Sequence, residues 1–171
     1  MLQYRVMKPS NTKIILGIDT GSTVIGYGAI SCKSSESPKA IGYGYIDLTV
    51  PKDPSKRLLQ LHEDFKEILK IYKPDCVSIE NVYFFKNAKT IIPVIQSKGV
   101  ILLTCALAKI DICEYTPLQI KQTISGYGKA DKQLIHKLIK STFNIKSDIK
   151  PDDVSDALAI ALCHLRHLIG F

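Results

Sequence analysis

Apolar positions fall into two patterns along the chain, with short runs in the first fifty residues and helical stripes after them. Within residues 13–20 the apolar side chains are nearly continuous, which is typical of a strand buried on both faces. Polar turns at 21–22 and 34–38 separate this run from two further segments, 24–31 and 40–50. The pattern predicts three strands joined as an antiparallel meander.

After residue 50 the apolar spacing changes to the period of helices, interrupted by two short buried strands. Ser55 is the predicted N-cap of the first helix, and Asp152 after Pro151 is the predicted N-cap of the last. Pro93 is compatible with its helix only in the first turn, where a missing N–H costs nothing. The predicted helices are 55–72, 90–108, 117–125, 131–143 and 152–168, and the two strands are 76–79 and 110–115.

The order of elements is β-β-β-α-β-α-β-α-α-α, an antiparallel start followed by alternating strands and helices. This order predicts an α/β fold with one mixed sheet, three antiparallel strands and then parallel ones, and helices on both faces. We expect a single domain over residues 13–171, because no repeat, low-complexity tract or linker interrupts them. Residues 1–12 lack the apolar core of a signal peptide and predict a flexible N-terminal extension.

Composition narrows the class of protein. A hydrophobic content of 46% and a charged content of 23% are typical of a soluble globular protein, and no apolar run approaches the ~20 residues of a membrane helix. The five cysteines lack Cys-x-x-Cys spacing, which indicates free thiols in a reducing, cytoplasmic compartment rather than disulfides or zinc. The net charge of +7 favours binding to polyanions such as nucleic acid.

Two acidic residues lie at the ends of buried strands. Asp19 ends the first strand, and Glu80 ends the strand 76–79. Because ligands bind at the carboxyl ends of strands in such sheets, both side chains are candidates for one site. An aspartate before Thr20-Gly21 is also typical of a turn, so both interpretations stay open for Asp19.

A second pair of acids opens the last helix. Asp153 and Asp156 are spaced i, i+3, which puts both carboxylates on one helix face. Acids in a first turn also complement the helix dipole, and that interpretation stays open. The same face continues into the apolar residues Ala157 and Ile160, so we favour a role at an active-site edge.

Four carboxylates at one point repel one another and stay ionised together only when cations lie between them. Oxygen ligands select hard ions, which predicts magnesium or manganese rather than zinc. Two such ions about 3.5–4 Å apart activate water and stabilise the leaving oxygen of a phosphodiester displacement. On a basic chain, lysine side chains would then bind the phosphates, and the acidic residues would take part in the cleavage reaction.

Other catalytic arrangements have weaker support. His164 and His167 are typical of groups that complement the negative end of a helix, rather than of metal ligands. Residues 126–129 are too short for a nucleotide-binding phosphate loop. No Ser-His-Asp arrangement is readable.

Several motifs follow one another along the chain, and the set is more specific than any one member. They are Gly17-Ile18-Asp19-Thr20-Gly21-Ser22 with Gly26-Tyr27-Gly28, Ile79-Glu80 to Tyr83 with Lys86-Asn87-Ala88, Gln96-Ser97-Lys98-Gly99-Val100, Thr116-Pro117 with Ile120-Lys121 and 126–132, and Asp153-x-x-Asp156-Ala157. In this order they resemble the bacterial RuvC Holliday junction resolvases, of the RNase H-like nuclease superfamily, from about residue 14 to 167. Thr20 stands where that family usually has proline, which leaves Asp19 in place.

The resemblance implies an RNase H-like five-stranded sheet and a homodimer, joined through the helix 90–108, that nicks two opposed strands of a four-way DNA junction in recombination and repair. It implies two Mg²⁺ ions per active site, with Mn²⁺ able to substitute, and a branch-migration helicase as partner. We expect no membrane partner, because no apolar run approaches the ~20 residues of a membrane helix. The implied catalytic metal ligands are Asp19, Glu80, Asp153 and Asp156, and the implied DNA-binding residues are Tyr83, Lys86, Lys121, Lys129 and Lys132.

Some roles and functions stay open at this point. Tyr83 stands where the family usually has a phenylalanine wedge and keeps its stacking face, and packing beneath its own loop with Phe84 and Phe85 is the less favoured alternative. Lys121 and Lys132 could be ordinary solvated helix surface. A related nuclease acting on other nucleic acids, a non-catalytic binding module and an actin-like or sugar-kinase-type phosphate-binding domain are the alternative functions, the last disfavoured because the chain shows a single phosphate loop.

Overall fold

A computed structural model of the chain describes residues 12–33, 36–50, 52–81 and 88–170, without the side chains of 88–90. Its strands are β1 (Thr12–Thr20), β2 (Val24–Lys33), β3 (Lys39–Asp47), β4 (Cys76–Glu80) and β5 (Asp111–Tyr115). They form one five-stranded sheet in the order β3-β2-β1-β4-β5. The pairs β1–β2 and β2–β3 are antiparallel, and β1–β4 and β4–β5 are parallel. The predicted mixed sheet is confirmed.

Helices cover both faces of this sheet, as predicted. They are α1 (Pro54–Tyr72), α2 (Ala88–Ala108), α3 (Pro117–Ser125), α4 (Lys132–Thr142) and α5 (Asp152–Leu168). Ile15 of β1 faces the core formed with α3, α4 and α5, whereas its neighbour Leu16 faces the core formed with α1 and α2. This alternation explains the nearly continuous apolar run in β1, because both faces of the strand are buried.

All five strands differ from their predicted bounds by one or more residues, and the start of β1 and the end of β3 are two instances. Thr12 belongs to β1 rather than to the N-terminal extension, and residues 1–11 of that predicted extension lie outside the described residues. The third strand ends at Asp47 instead of continuing to residue 50. Asp47 Oδ1 accepts hydrogen bonds from the backbone N–H of Thr49 at 2.9 Å and from its hydroxyl at 2.7 Å, and this local turn competes with strand pairing.

Both predicted helix caps are wrong. Asp53 caps α1, since its Oδ1 accepts a hydrogen bond from the Lys56 N–H at 3.0 Å, and Ser55 donates its hydroxyl to the same oxygen at 2.6 Å. Pro151 is the N-cap of α5 and makes no side-chain cap hydrogen bond, so Asp152 lies inside the first turn. The cap of α1 lies two residues before Ser55, with Pro54 as the first helical residue, and the cap of α5 lies one residue before Asp152, at Pro151 itself.

The helix α2 departs from two further expectations. Pro93 is its sixth residue, because the helix begins at Ala88 rather than at residue 90, so it does not lie in the first turn. The window Ile91–Ala108 is long and apolar enough to cross a membrane, by length and composition, with 22% of it buried in the fold. The expectation that no apolar run approaches membrane-span length is therefore wrong for α2.

The helix α5 lies directly on β1 and β2, because glycines at the contact remove side chains that would hold it away. A Cβ on Gly17 would collide with the carbonyl oxygen of Ala157 and lie 2.6 Å from the backbone nitrogen of Ala161. On β2, a Cβ on Gly26 would collide with the carbonyl oxygen of Asp153. These glycines therefore set how closely the acidic start of α5 approaches the sheet.

The spacing of residues along α5 matches the spacing of residues along β4, on which this helix packs. Four helical residues rise about 6 Å and two strand residues about 6.6 Å. Successive turns of the helix therefore lie beside alternate residues of the strand. Ser78 donates its hydroxyl to the Ile160 carbonyl at 3.3 Å. One turn before Ile160, Asp156 lies beside Glu80. One turn after Ile160, His164 lies near Cys76, the first residue of β4.

We expect Gly17→Ala to lower the free energy of unfolding by about 3 kcal/mol, because the new methyl group meets the backbone of α5, which cannot yield without moving the helix. Urea denaturation would measure the loss. Gly44→Ala is the matched control, since its Cβ would lie 2.7 Å from the hydroxyl oxygen of Tyr27, the movable end of a side chain. Equal destabilisation by the two substitutions would contradict this account of α5 packing.

Candidate active site

Two carboxylates lie side by side at the carboxyl edge of the sheet. Ile18 pairs with Ile79 in the parallel β1–β4 register, so the next residues, Asp19 and Glu80, are neighbours across the two strands. Side chains alternate along a strand, and Gly17 two residues before Asp19 faces α5. Asp19 and Glu80 therefore share the face that α5 covers.

The first turns of α5 bring two more carboxylates to this edge. Gly26 pairs with Asp19 in the β1–β2 ladder, and the backbone of Asp153 lies over Gly26, where a Cβ would be 3.0 Å from the Cβ of Asp153. A Cβ on Gly21 would be 3.7 Å from Asp153 Oδ1, so this carboxylate lies over the turn between β1 and β2. Asp156 follows one turn later.

The structure brings all four predicted acids into electrostatic contact. Burial raises the pKa of Asp19 to about 8, and the charges of Asp156, Glu80 and Asp153 contribute to the rise in that order. Burial and the charge of Asp156 also raise the pKa of Glu80. A buried carboxyl group surrounded by three others is neutral near pH 7 unless a cation lies beside it.

The donor set fits hard cations. All four groups offer carboxylate oxygens, which favour magnesium or manganese over softer ions. Among the residues that the structure describes, none of the groups of three ligand atoms that lie within 4.8 Å of one another contains these acids.

A lysine is held against the acids by the start of α4. Asp131 caps that helix by accepting the Leu134 N–H at 2.7 Å, which makes Lys132 its first residue. The Lys132 Nζ lies 2.9 Å from Asp156 Oδ2 and 3.4 Å from Asp152 Oδ2. Burial disfavours the charged form of Lys132, but the hydrogen bonds and charges of Asp156 and Asp152 together outweigh it, and the pKa of the lysine is raised.

A cavity of about 170 Å³ opens beside this pair. Its polar lining consists of two acids and two lysines, Glu80, Asp156, Lys121 and Lys132. The charge of Lys121 counters the rise in the pKa of Glu80. Anionic ligands could therefore reach the acids past two ammonium groups.

The other three predicted DNA-binding residues are not among the described residues that line this cavity. Lys129 is exposed in the turn between α3 and α4. Tyr83 and Lys86 lie outside the described residues, so their predicted roles stay predictions.

Sequence reasoning assigned Asp152 to a cap and missed its place near the site. Its carboxylate shares Lys132 with Asp156, and its charge raises the pKa of Asp156, although burial is the larger cause and Lys132 opposes both. The run Asp152-Asp153 in a first turn, next to Asp156, was the available signal. The position of Lys132, on another helix, could not be read from it.

Comparisons with known proteins agree on one family. The family model described as "Crossover junction endodeoxyribonuclease RuvC" matches residues 15–164. Relatives with that same name include one from Caldicellulosiruptor saccharolyticus, 47% identical over 151 residues, which cover 88% of this chain and 91% of the relative. Another, from Clostridioides difficile, is 45% identical over 88% of this chain and 89% of its own length.

The comparison with solved structures agrees with this family. The fold matches "T. thermophilus RuvC in complex with Holliday junction substrate" with a TM-score of 0.85 and 27% sequence identity. The match covers 92% of this chain and 96% of the other. The two folds therefore agree over nearly the whole length of both proteins.

Proposed function

The chain belongs to the RuvC family of crossover junction endodeoxyribonucleases, and on this premise we propose that it is a Holliday junction resolvase. It binds four-way DNA junctions and nicks two opposed strands symmetrically by phosphodiester hydrolysis, in recombination and repair. The observation that carries this proposal is the convergence of Asp19, Glu80, Asp153 and Asp156 at one sheet edge beside two lysines.

The four acids act in this proposal as ligands of two Mg²⁺ ions, for which Mn²⁺ can substitute. When bound, these ions supply an activated water and stabilise the leaving oxygen of the scissile phosphate. Asp19 and Glu80 hold their positions through the paired strands β1 and β4, and Asp153 and Asp156 through the close packing of α5. Rigid placement matters because the ligands must present their oxygens with little rearrangement.

Lysines account for phosphate binding in the same proposal. The net charge of +7 favours DNA in general, and Lys121 and Lys132 bring that charge to the acids themselves. Lys132 balances the charge of Asp156 in the metal-free site and can turn to a phosphate oxygen when cations take over that task. Lys129, Lys86 and the stacking residue Tyr83 are proposed to contact the junction farther from the acids.

Paired nicks need two active sites, whereas the described part of one chain carries one cluster of acids at the sheet edge. We therefore propose a homodimer joined through α2. One side of this helix presents a stripe of large apolar side chains to solvent. They are Ile92, Ile95, Leu102, Leu103 and Leu107, between 36% and 67% exposed.

A second copy of the chain suits this stripe better than a lipid bilayer. Within the same helix Lys98 pairs with Glu114 of β5 at 2.7 Å, and Ile101 and Cys105 are fully buried against the sheet, so α2 is packed on one side into the fold. An apolar face of this kind on a charged domain is typical of an interface between proteins. We propose a cytoplasmic location from the five free thiols, and a branch-migration helicase as partner from the family resemblance.

The test of this function is a side-by-side assay with a four-way junction, a linear duplex and an RNA–DNA hybrid in magnesium. We expect paired symmetric nicks in the junction alone, and no cleavage of any substrate in excess chelator. Equal cleavage of the linear duplex or the hybrid would favour a related nuclease with the same metal site. Turnover in chelator would exclude the metal-dependent chemistry.

The raised pKa of Asp19 predicts a pH-dependent need for metal. A carboxyl pKa of about 8 means that a proton must leave before this group binds a cation. The Mg²⁺ concentration for half-maximal cleavage should therefore fall by up to about tenfold per pH unit from pH 6 to 8, and level off above 8. Single-turnover rates at each pH would measure it.

The same shift has a consequence for the metal-free fold. Folded Asp19 keeps its proton between its ordinary value of 3.8 and about 8, while the unfolded chain releases it, so stability falls as the pH rises through this window. Asp19→Asn should reduce that fall. A Mg²⁺ concentration for half-maximal cleavage that stays the same from pH 6 to 8 would contradict the raised pKa of Asp19.

A further inference from the structure

Two cysteines and a histidine meet beneath α5, at the end of β4 opposite to the acids. Cys76 begins β4 and pairs with Asp111, while Cys113 of β5 pairs with Ser78, so the two thiols are diagonal neighbours on one sheet face. Their sulfur atoms are 3.7 Å apart. Both sulfurs and a ring nitrogen of His164 lie within 4.8 Å of one another.

The surroundings hold the histidine in place. His164 is 4% exposed, and the hydroxyl of Tyr115 lies 2.7 Å from its Nδ1. Burial lowers the pKa of this imidazole, so the ring is neutral and able to offer a lone pair. His164 therefore does not act as a charged group at the helix end, as its spacing had indicated, whereas His167 is exposed.

We propose that Cys76, Cys113 and His164 form a zinc-binding site that ties β4, β5 and α5 together. Thiolate and imidazole are preferred zinc ligands, and the three groups come from three different elements, β4, β5 and α5. Three protein ligands leave a fourth tetrahedral position. Cys113 is half-buried, so solvent reaches this part of the group.

Charge balance favours zinc over copper(I), the other thiophilic ion that suits this donor set. Two thiolates, one neutral imidazole and Zn²⁺ sum to zero, so the complex can be buried without an uncompensated charge. The same ligands with Cu⁺ would leave one negative charge beside His164 and the buried face of α5. Binding displaces one proton from each thiol and none from the neutral imidazole, so each Zn²⁺ releases two protons to solvent.

The zinc site and the acidic site share no ligand and differ in chemistry. His164 follows Asp156 by two helical turns, which separates them by about 12 Å along α5. The carboxylates select hard ions and the thiolates soft ones. Excess magnesium should therefore saturate the acids without occupying the cysteines.

The experiment uses the full chain, reduced with a phosphine and dialysed against excess magnesium with limiting zinc. We expect one zinc retained per chain, and a cobalt(II)-loaded sample with thiolate-to-metal charge-transfer absorption. Cys113→Ser should lose both signals. Cys32→Ser, another half-buried cysteine outside the group, and Asp19→Asn at the acidic site should keep both.

A measurement on the wild-type chain covers the case in which Cys113→Ser fails to fold. Zinc should protect Cys76 and Cys113 from alkylation, and not Cys32, as read by peptide mass spectrometry. A copper(I) arm should show weaker retention than zinc. The proposal is overturned if no zinc is retained in magnesium, if Cys113→Ser folds and keeps the charge-transfer band, if the protected thiols are a different pair, or if copper(I) is preferred.

Discussion

Asp19→Asn is expected to slow junction cleavage by at least about a thousandfold while junction binding stays close to that of the wild type. Loss of one ligand from a two-ion site removes several kcal/mol of transition-state stabilisation, and each 1.4 kcal/mol is about tenfold in rate. Binding depends mainly on contacts between lysines and phosphates, which this substitution leaves in place. Asparagine has nearly the same shape, so the strand pairing around Asp19 is preserved.

Single-turnover cleavage and gel-shift titration on the same junction would separate these two effects. Asp64→Asn is the matched control, because it makes the same chemical change on an exposed carboxylate of α1. It should cleave at the wild-type rate. Full activity of Asp19→Asn would refute the metal-site assignment. Loss of both junction binding and cleavage would mean that Asp19 supports the DNA-binding surface instead.

The double substitution Ile92→Glu with Leu103→Glu is expected to convert the proposed dimer into monomers and to abolish paired nicking. The two side chains are 54% and 59% exposed and lie three helical turns apart on one face of α2. Two charges from each chain placed in one apolar interface should weaken association by at least about a hundredfold, since like charges there cost several kcal/mol. The fold of each chain should survive because both positions face solvent in the single chain.

Sedimentation velocity over a range of concentrations would report the association state, and nick mapping on a junction would report pairing. Leu59→Glu with Ile71→Glu is the control, since these α1 side chains are 56% and 70% exposed and the charge change is the same. It should remain dimeric. A wild-type chain that is monomeric at all concentrations, or that floats with lipid vesicles, would contradict the proposed role of α2.

The backbone elements were predictable because their signals are local. The bounds of α3 and α5 agree with the apolar spacing, and β1 begins one residue before its predicted start at residue 13. The errors lie where side chains compete for backbone groups. Asp53 displaced Ser55 as a cap, and Asp47 ended β3 early by accepting hydrogen bonds from Thr49.

The site was predictable as a list of residues but not as an arrangement. Asp19 and Glu80 were recognisable as acids that end buried strands, and the family motifs joined them to Asp153 and Asp156. Nothing in the spacing indicated that Lys132 would pair with Asp156. That contact depends on how the start of α4 approaches α5.

The sequence by itself determined the order of strands and helices, the family and the identity of the four acids, because periodicity and motif order are properties of neighbouring residues. The tertiary structure alone decided the pKa of Asp19, which follows from burial and from charges on β4 and α5. It also decided that Cys76, Cys113 and His164 meet, although cysteine spacing had indicated against zinc. Such contacts follow from strand register and helix packing, which join residues that the chain keeps far apart.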